Sequence, residues 1–168
     1  MAPYPYSESM NTSRSHAQKR CVQSPSFVSM EDRAAVLFRL LRNGDPSAVV
    51  SFFRDLTVSF DINLIFDEEG FGALHRVAQA NNDELCRVLL VEAGECLDVN
   101  LRSRNSGQST PLHVAASVGN NFAVERLLQR GAITACLDGY GQSPYDVAQR
   151  HGYTATTFIL LRKCESTR

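Results

Sequence analysis

The chain has 168 residues, 43% of them hydrophobic, and a formal net charge of −1. This length and composition predict one domain with a buried core, and the near-neutral charge does not favour nucleic acid as the main partner. No apolar run approaches the roughly 18 residues of a membrane-spanning helix, and the N-terminus lacks the apolar stretch of a secretory signal.

Residues 1–30 are rich in Ser, Pro and Tyr and carry a charge of +2, from Arg14, Lys19 and Arg20 against Glu8. They show neither a helical nor a strand period, so we predict a disordered basic tail. Ser24, which precedes Pro25, is a candidate phosphorylation site. Since Ser-Pro pairs are common in such tails, the alternative is that Ser24 has no regulatory role.

The sequence pattern becomes helical after Met30. Glu31 and Asp32 favour a helix start, Gly44 favours a helix end, and Pro46 suits the first turn of a second helix. Three more helix pairs are predicted, at 72–80 with 84–92, at 110–118 with 121–130, and at 143–151 with 154–163. The turn-rich segments 61–72, 98–109 and 137–142 predict hairpin loops, which we call fingers one, two and three.

One unit is written several times along the chain. The stretch STPLHVAASVGN, which begins at Ser109, recurs 33 residues later as SPYDVAQRHGY and 38 residues earlier around Leu74-His75. Each copy continues into an apolar pair such as Leu127-Leu128. The pattern resembles the ankyrin repeat, whose unit has about 33 residues and the signature T-P-L-H-x-A. A weaker copy at the front lacks this signature, as is common for terminal repeats.

This resemblance implies an all-α solenoid of about four helix-turn-helix units with hairpin fingers, in which the first and last units are degenerate caps. The repeat domain is expected to span residues 31–168, with units at about 31–66, 67–104, 105–137 and 138–163. The first two units are also loosely similar to the Notch-regulated ankyrin repeat family, on the stretch DINLIFDEEGFGALH. The short inhibitor-of-kappa-B-like ankyrin proteins are an equally close comparison.

His113 is the residue that most resembles a catalytic group. However, His75 occupies the same slot one unit earlier, Asp146 occupies it one unit later, and a catalytic base is not expected to recur with the period of a fold. His113 is therefore predicted to bond to neighbouring backbone and link units, beside a helix cap at Thr110.

No nucleophile elbow, phosphate loop or metal-ligand spacing stands out in the sequence, so we expect no catalytic, metal or cofactor site. The five cysteines show no C-x-x-C pair. Free thiols suit the cytosol or the nucleus.

Candidate partner-binding residues are sought on the fingers and on the inner helices behind them. An acidic finger one beside a longer, basic finger two suggests a partner that bridges both with complementary charge, and both arginines of finger two are expected in solvent. The alternative is a set of solvated loops without a partner. The candidates are Asp67, Glu68, Glu69, Gln79, Arg102, Arg104, Ser117, Val118 and Tyr140.

Phe158 is an aromatic residue at a position that is charged in two other units, where Arg87 and Glu125 stand. It is either an exposed anchor for a partner or the tail, or it is buried by a slight rotation of the last helix. Of these two interpretations we favour burial.

The function expected from the resemblance is a non-enzymatic module, monomeric alone, that binds another protein and acts by occupancy. It would serve as an adaptor or as an inhibitor that masks a partner's surface in signalling or transcription regulation. Two alternatives stay open: a nucleic-acid-associated regulator that uses Arg14, Lys19 and Arg20, and an enzyme accessory subunit.

Overall fold

The computed structural model describes residues 29–55 and 61–165. Within these ranges it contains four helix pairs and no β-strand, which confirms the predicted all-α repeat architecture. Short 3-10 helices lie at Ile62–Leu64 and Gly94–Cys96. The pairs are α1 (Met30–Asn43) with α2 (Pro46–Arg54), α3 (Ala73–Ala80) with α4 (Asp83–Glu92), α5 (Pro111–Val118) with α6 (Asn121–Gln129), and α7 (Pro144–Arg150) with α8 (Thr154–Glu165).

The eight helices form two parallel rows. Helices α1, α3, α5 and α7 contact one another in order along the inner row, and α2, α4, α6 and α8 do so along the outer row. Each pair therefore packs mainly against its neighbouring pairs in the chain, as in a solenoid whose units bury a continuous core between them.

The helix ends follow the local sequence. Ser29 caps α1: its side chain accepts a hydrogen bond from the Asp32 backbone N–H (3.1 Å), and the Asp32 carboxylate accepts from the backbone N–H of Ser29 (3.3 Å). Gly44 ends the helix with a positive φ of 71°. The cap lies two residues inside the segment assigned to the tail, whereas Ser24 and the three basic tail residues lie outside the described residues.

The core is a ladder of equivalent side chains. The outer row contributes Leu89, Leu127 and Leu160, each at most 1% exposed. Where the inner helices approach one another, Ala115 and Ala148 are fully buried. Small side chains at these positions let successive helices pack closely.

Polar side chains hold the units in register. Asn63 donates to the carbonyl of Cys96 (2.6 Å) and accepts from the N–H of Asp98 (2.8 Å). One unit later Asn100 repeats this arrangement toward Gly131 (3.4 Å) and Ile133 (2.8 Å). Because each asparagine satisfies backbone groups of the next unit, the loops on which the fingers stand are fixed relative to one another.

Candidate protein-binding surface

The two histidines at equivalent positions of successive units link helices to fingers. In His113, Nδ1 accepts a hydrogen bond from the Thr110 backbone N–H (3.2 Å), and Nε2 lies 3.0 Å from the carbonyl oxygen of Gln142 in finger three. His75 makes the same pair of contacts, with Gly72 (3.2 Å) and with Ser109 of finger two (2.8 Å). A neutral ring that donates through Nε2 satisfies both contacts.

Both imidazoles are buried, and this burial lowers the pKa of His75 and of His113. The predicted linking role of His113 is thus seen directly. The predicted cap at Thr110 takes a different form, because its hydroxyl lies 2.8 Å from His113 Nδ1 and makes no capping bond to the backbone.

Arg76 joins the residues of finger one to helix α3, and the sequence pattern did not indicate this role. The Arg76 guanidinium pairs with the Asp67 carboxylate, lies 3.1 Å from Glu69 and donates to Gln79 (2.8 Å). It also lies over the Phe71 ring, 4.9 Å from the centroid.

Asp67 is consequently part of the fold of finger one. Its side chain is only 7% exposed, and it accepts hydrogen bonds from the N–H groups of Glu69 (3.0 Å) and Phe71 (2.9 Å). Burial raises the pKa of Asp67, but the hydrogen bonds from Arg76 and Phe71 and the Arg76 charge outweigh it, so the pKa is lowered overall. Of the three predicted acidic residues, Glu68 and Glu69 are the exposed ones.

The arginines of finger two lie at the surface, as expected, but solvent is not their only neighbour. Arg102 donates to the carbonyls of Gln108 (3.2 Å) and Leu137 (2.9 Å), so it ties finger two to finger three. Arg104 lies over the ring of Phe66 in finger one, 4.0 Å from its centroid. Both arginines are thus exposed, as predicted, and each also contacts a neighbouring finger, which the sequence did not predict.

The fingers lie side by side and share backbone hydrogen bonds. Arg104 donates its N–H to Gly70 (2.8 Å), and Gly139 donates to Gly107 (2.7 Å). Gly70 has a φ of 79°, and a Cβ there would lie 2.9 Å from the Asn105 nitrogen, so this close approach requires glycine. The acidic finger and the basic finger therefore form one continuous surface.

The remaining predicted residues differ in accessibility. Gln79 is exposed on α3, whereas Ser117 and Val118 on α5 are half-buried, and the Ser117 hydroxyl donates to Val114 (2.8 Å). Tyr140, at the tip of finger three, is 70% exposed. Phe158 is also 70% exposed, so the favoured burial is wrong and the anchor interpretation fits its position.

A cleft of about 700 Å³ separates α1 from fingers one and two. Its apolar lining residues include Phe38, which is 8% exposed, and Leu64, which is 63% exposed. Arg39 and Arg42 of α1 line the cleft together with Glu68 and the predicted Arg104. The two α1 arginines were missed because the first unit was treated as a cap, although the helical period places both outside the buried face formed by Leu37, Phe38 and Leu41.

Among residues 29–55 and 61–165, no helix is long and apolar enough to cross a membrane. The same part of the chain holds no group of three or more His, Cys, Asp or Glu side chains placed to bind a metal ion.

A family model for ankyrin repeats, in three copies, matches residues 74–168. The chain belongs to the ankyrin-repeat family. This match covers the last three units, and α1 and α2 add a fourth pair to the same stack.

Three curated relatives illustrate how widely the repeats occur. The chain is 31% identical to the nuclear factor NF-kappa-B p105 subunit of Rattus norvegicus, over 79% of this chain and 13% of that protein. It is 40% identical to the E3 ubiquitin-protein ligase KEG of Arabidopsis thaliana, over 48% of this chain and 5% of that protein. The third, alpha-latrotoxin-Lhe1a of Latrodectus hesperus, is 31% identical over 72% of this chain and 8% of the toxin. The chain thus spans a small fraction of the length of each relative.

Replacing Arg76 with Met is expected to lower the free energy of unfolding by about 1–2 kcal/mol, because it leaves the largely buried Asp67 carboxylate without its cation. Urea unfolding at neutral pH measures the loss. Arg87→Met is the matched control, since Arg87 and its partner Glu84 are both 58% exposed and 3.7 Å apart, and such surface pairs contribute about 0–1 kcal/mol. Equal losses for the two variants would contradict an anchoring role for Arg76.

Proposed function

We propose that this ankyrin-repeat chain is a non-enzymatic protein-interaction module that acts by occupancy, as an adaptor or as an inhibitor that masks a partner's surface in signalling or transcription regulation. Ankyrin repeats mediate the binding of protein partners. The similarity to a nuclear factor subunit supports a setting in transcription regulation, and the similarity to a ubiquitin ligase supports one in signalling.

The cleft between α1 and fingers one and two is the observation that carries this proposal. It combines apolar and charged side chains. Protein-protein interfaces use both kinds, since they bury apolar area at the centre and place polar groups at the edge. Arg39 and Arg42 are exposed, and neither makes an ion pair with the described residues. The residues that line the cleft include four basic and four acidic side chains, and these two arginines lie on α1. We therefore expect a partner segment that presents carboxylates toward α1, beside apolar side chains.

The non-enzymatic part of the proposal is supported by the use that the fold makes of its histidines. Both ring nitrogens of His75 and of His113 are occupied by contacts that join helix to finger. Neither imidazole is therefore available as a general base.

We also propose the cytosol or the nucleus as the location. Among the described residues Cys86, Cys96 and Cys136 are free thiols, as is usual in a reducing compartment. Cys86 is buried, and burial raises the pKa of its thiol to about 11, so it serves as a small core residue.

The test compares the wild-type chain with the double variant Arg39→Glu/Arg42→Glu in quantitative affinity purification from cells. Both positions are exposed on α1, so reversing them changes the charge of the cleft without removing a contact within the fold. We expect the recovery of the true partner to fall at least tenfold, which corresponds to about 1.4 kcal/mol of binding free energy. With the purified partner, the association rate should lose its dependence on salt.

The matched control is Arg54→Glu/Arg87→Glu, which makes the same charge change on the exposed side of the outer helices α2 and α4. This control should retain the partner. Recovery of the same proteins, in the same amounts, by the cleft variant and the wild type would reject the cleft as the binding surface. Arg102 is not a suitable position for this test, because its side chain bridges two fingers and its substitution would also disturb the fold.

A further inference from the structure

The last helix pair of the stack presents an apolar groove that no described residue covers. Between α7 and α8 lies a groove of about 320 Å³, and the residues that line it include Tyr145, Gln149, Thr157, Phe158 and Leu161. None of the groove residues is charged. Phe158 is 70% exposed and Leu161 is 42% exposed.

The repeat register identifies this face as the one through which units stack. Leu161 is equivalent to Leu128 and Leu90, which are 5% and 4% exposed. Leu128 lies with Glu125 in the groove that α6 forms with Ile159 of α8. Leu161 therefore occupies, one unit later, a position that in the preceding units is buried against the next helix pair, whereas Phe158 stands beside it at the position where Glu125 and Arg87 are exposed.

The last unit differs from the preceding ones at the residue that links a helix to the following finger. His75 and His113 each reach a carbonyl of the following finger, whereas Asp146 occupies their slot in the last unit. The Asp146 carboxylate accepts instead from the N–H (2.9 Å) and the hydroxyl (2.6 Å) of Ser143. A carboxylate accepts hydrogen bonds but cannot donate one to a carbonyl, so Asp146 does not reproduce the contact that His75 and His113 make.

We infer that the groove between α7 and α8 is a second interaction surface, which binds one amphipathic α-helix of a partner protein. The helix packs across α7 and α8 as the α7–α8 pair packs across α5 and α6, so the site continues the interface that already joins the units. An uncharged groove receives apolar side chains without burying an unpaired charge. A second copy of the chain that docked through this same face would present another groove, which a groove does not fill, whereas a convex helix does.

The occupant has a defined size and pattern. Helix α8 has 12 residues, so a helix lying along it covers about three turns, or roughly 18 Å. Its contacts come from one stripe, with apolar side chains at i, i+3, i+4 and i+7, the spacing used by helices that bind in grooves.

The sequence contains no tryptophan, so Phe158→Trp in the full chain places a single fluorescent reporter in the groove. The probe is a synthetic helical peptide of about 14 residues without tryptophan, with leucines at the stripe positions. We expect a saturable blue shift of the emission as the peptide covers the indole. A peptide of identical composition, whose leucines are spread around the helix, should bind at least tenfold more weakly. Adding Leu161→Glu to the reporter should weaken binding of the striped peptide at least tenfold.

Tyr140→Trp is the matched control, because Tyr140 is as exposed as Phe158 but lies on finger three. Its emission should not respond to the peptide. Three outcomes would overturn the inference: no response of the Phe158→Trp reporter up to about 1 mM peptide, an equal response to both peptides, or a blue shift that follows protein concentration without peptide. The last outcome, checked by sedimentation, would assign the groove to a second copy of the chain.

Discussion

The Leu127→Ala variant is expected to lose about 2–5 kcal/mol of its free energy of unfolding, because it removes the transfer energy of a buried side chain and leaves a cavity. Leu127 is fully buried in the middle of the outer row of helices. Its neighbours in the stack are held in register by side-chain bonds between units, such as Asn120 to the carbonyl of Ala78 (3.2 Å), so collapse around the cavity is limited. Urea unfolding followed by circular dichroism measures the loss.

Glu125→Ala is the matched control for this prediction. Glu125 lies on the same helix, is exposed, and makes no ion pair with the described residues. Its substitution should change the unfolding free energy by no more than about 0.5 kcal/mol. Equal losses in the two variants would mean that the register that assigns Leu127 to the core is wrong.

The sequence was sufficient to predict the architecture because the same local signals occur in every unit. Gly44, Gly119 and Gly152 have positive φ values of 71°, 70° and 79°, and Asn81 takes the same place in the second unit with a φ of 50°. These residues end helices for a reason that is local to the chain, since their backbone conformation is costly for most side chains. Because these helix-ending residues recur in every unit, they predicted the helix pairs reliably even where a single unit matched the repeat pattern poorly.

The details of the binding surface could not be predicted, because they depend on distances between units. Arg76 meets Asp67 across 9 residues of sequence, and Arg102 meets Leu137 across 35. A charged residue in a predicted loop reads as solvated unless its partner is known, so Asp67 and Arg102 were both expected to face a binding partner. Only the relative placement of the fingers shows that their charge is used within the fold.

Phe158 shows the opposite limit. Its position is charged in two other units, and a lone aromatic residue there suggested that the helix turns to bury it. The structure keeps α8 in the register of the other outer helices, with Leu160 buried in the place of Leu127. The aromatic side chain is therefore exposed because the fold follows its repeat.

The His113→Asn variant is expected to be less stable by about 2–3 kcal/mol, because the shorter amide cannot reach both the Thr110 N–H and the Gln142 carbonyl. His113 is 2% exposed, so a group left without its partner there is also shielded from water. His151→Asn is the matched control: His151 is exposed at the end of α7, and its substitution should cost no more than about 0.5 kcal/mol. Partner binding by the folded His113 variant should remain within a factor of about two.

The same histidines determine how stability depends on pH. Burial lowers the pKa of both His75 and His113 in the folded state, so the unfolded chain takes up protons first as the pH falls below the ordinary histidine value of about 6.5. Their stabilisation is therefore complete above pH 7 and decreases on acidification, by at most about 1.4 kcal/mol per pH unit for each histidine. Because His113→Asn removes one of the two titrating groups, the slope of unfolding free energy between about pH 6.5 and pH 5 should be shallower than in the wild type. An unchanged slope would mean that His113 does not contribute to the pH dependence of stability. An unchanged unfolding free energy together with lost partner binding would mean that His113 serves the binding site and not the joint between units.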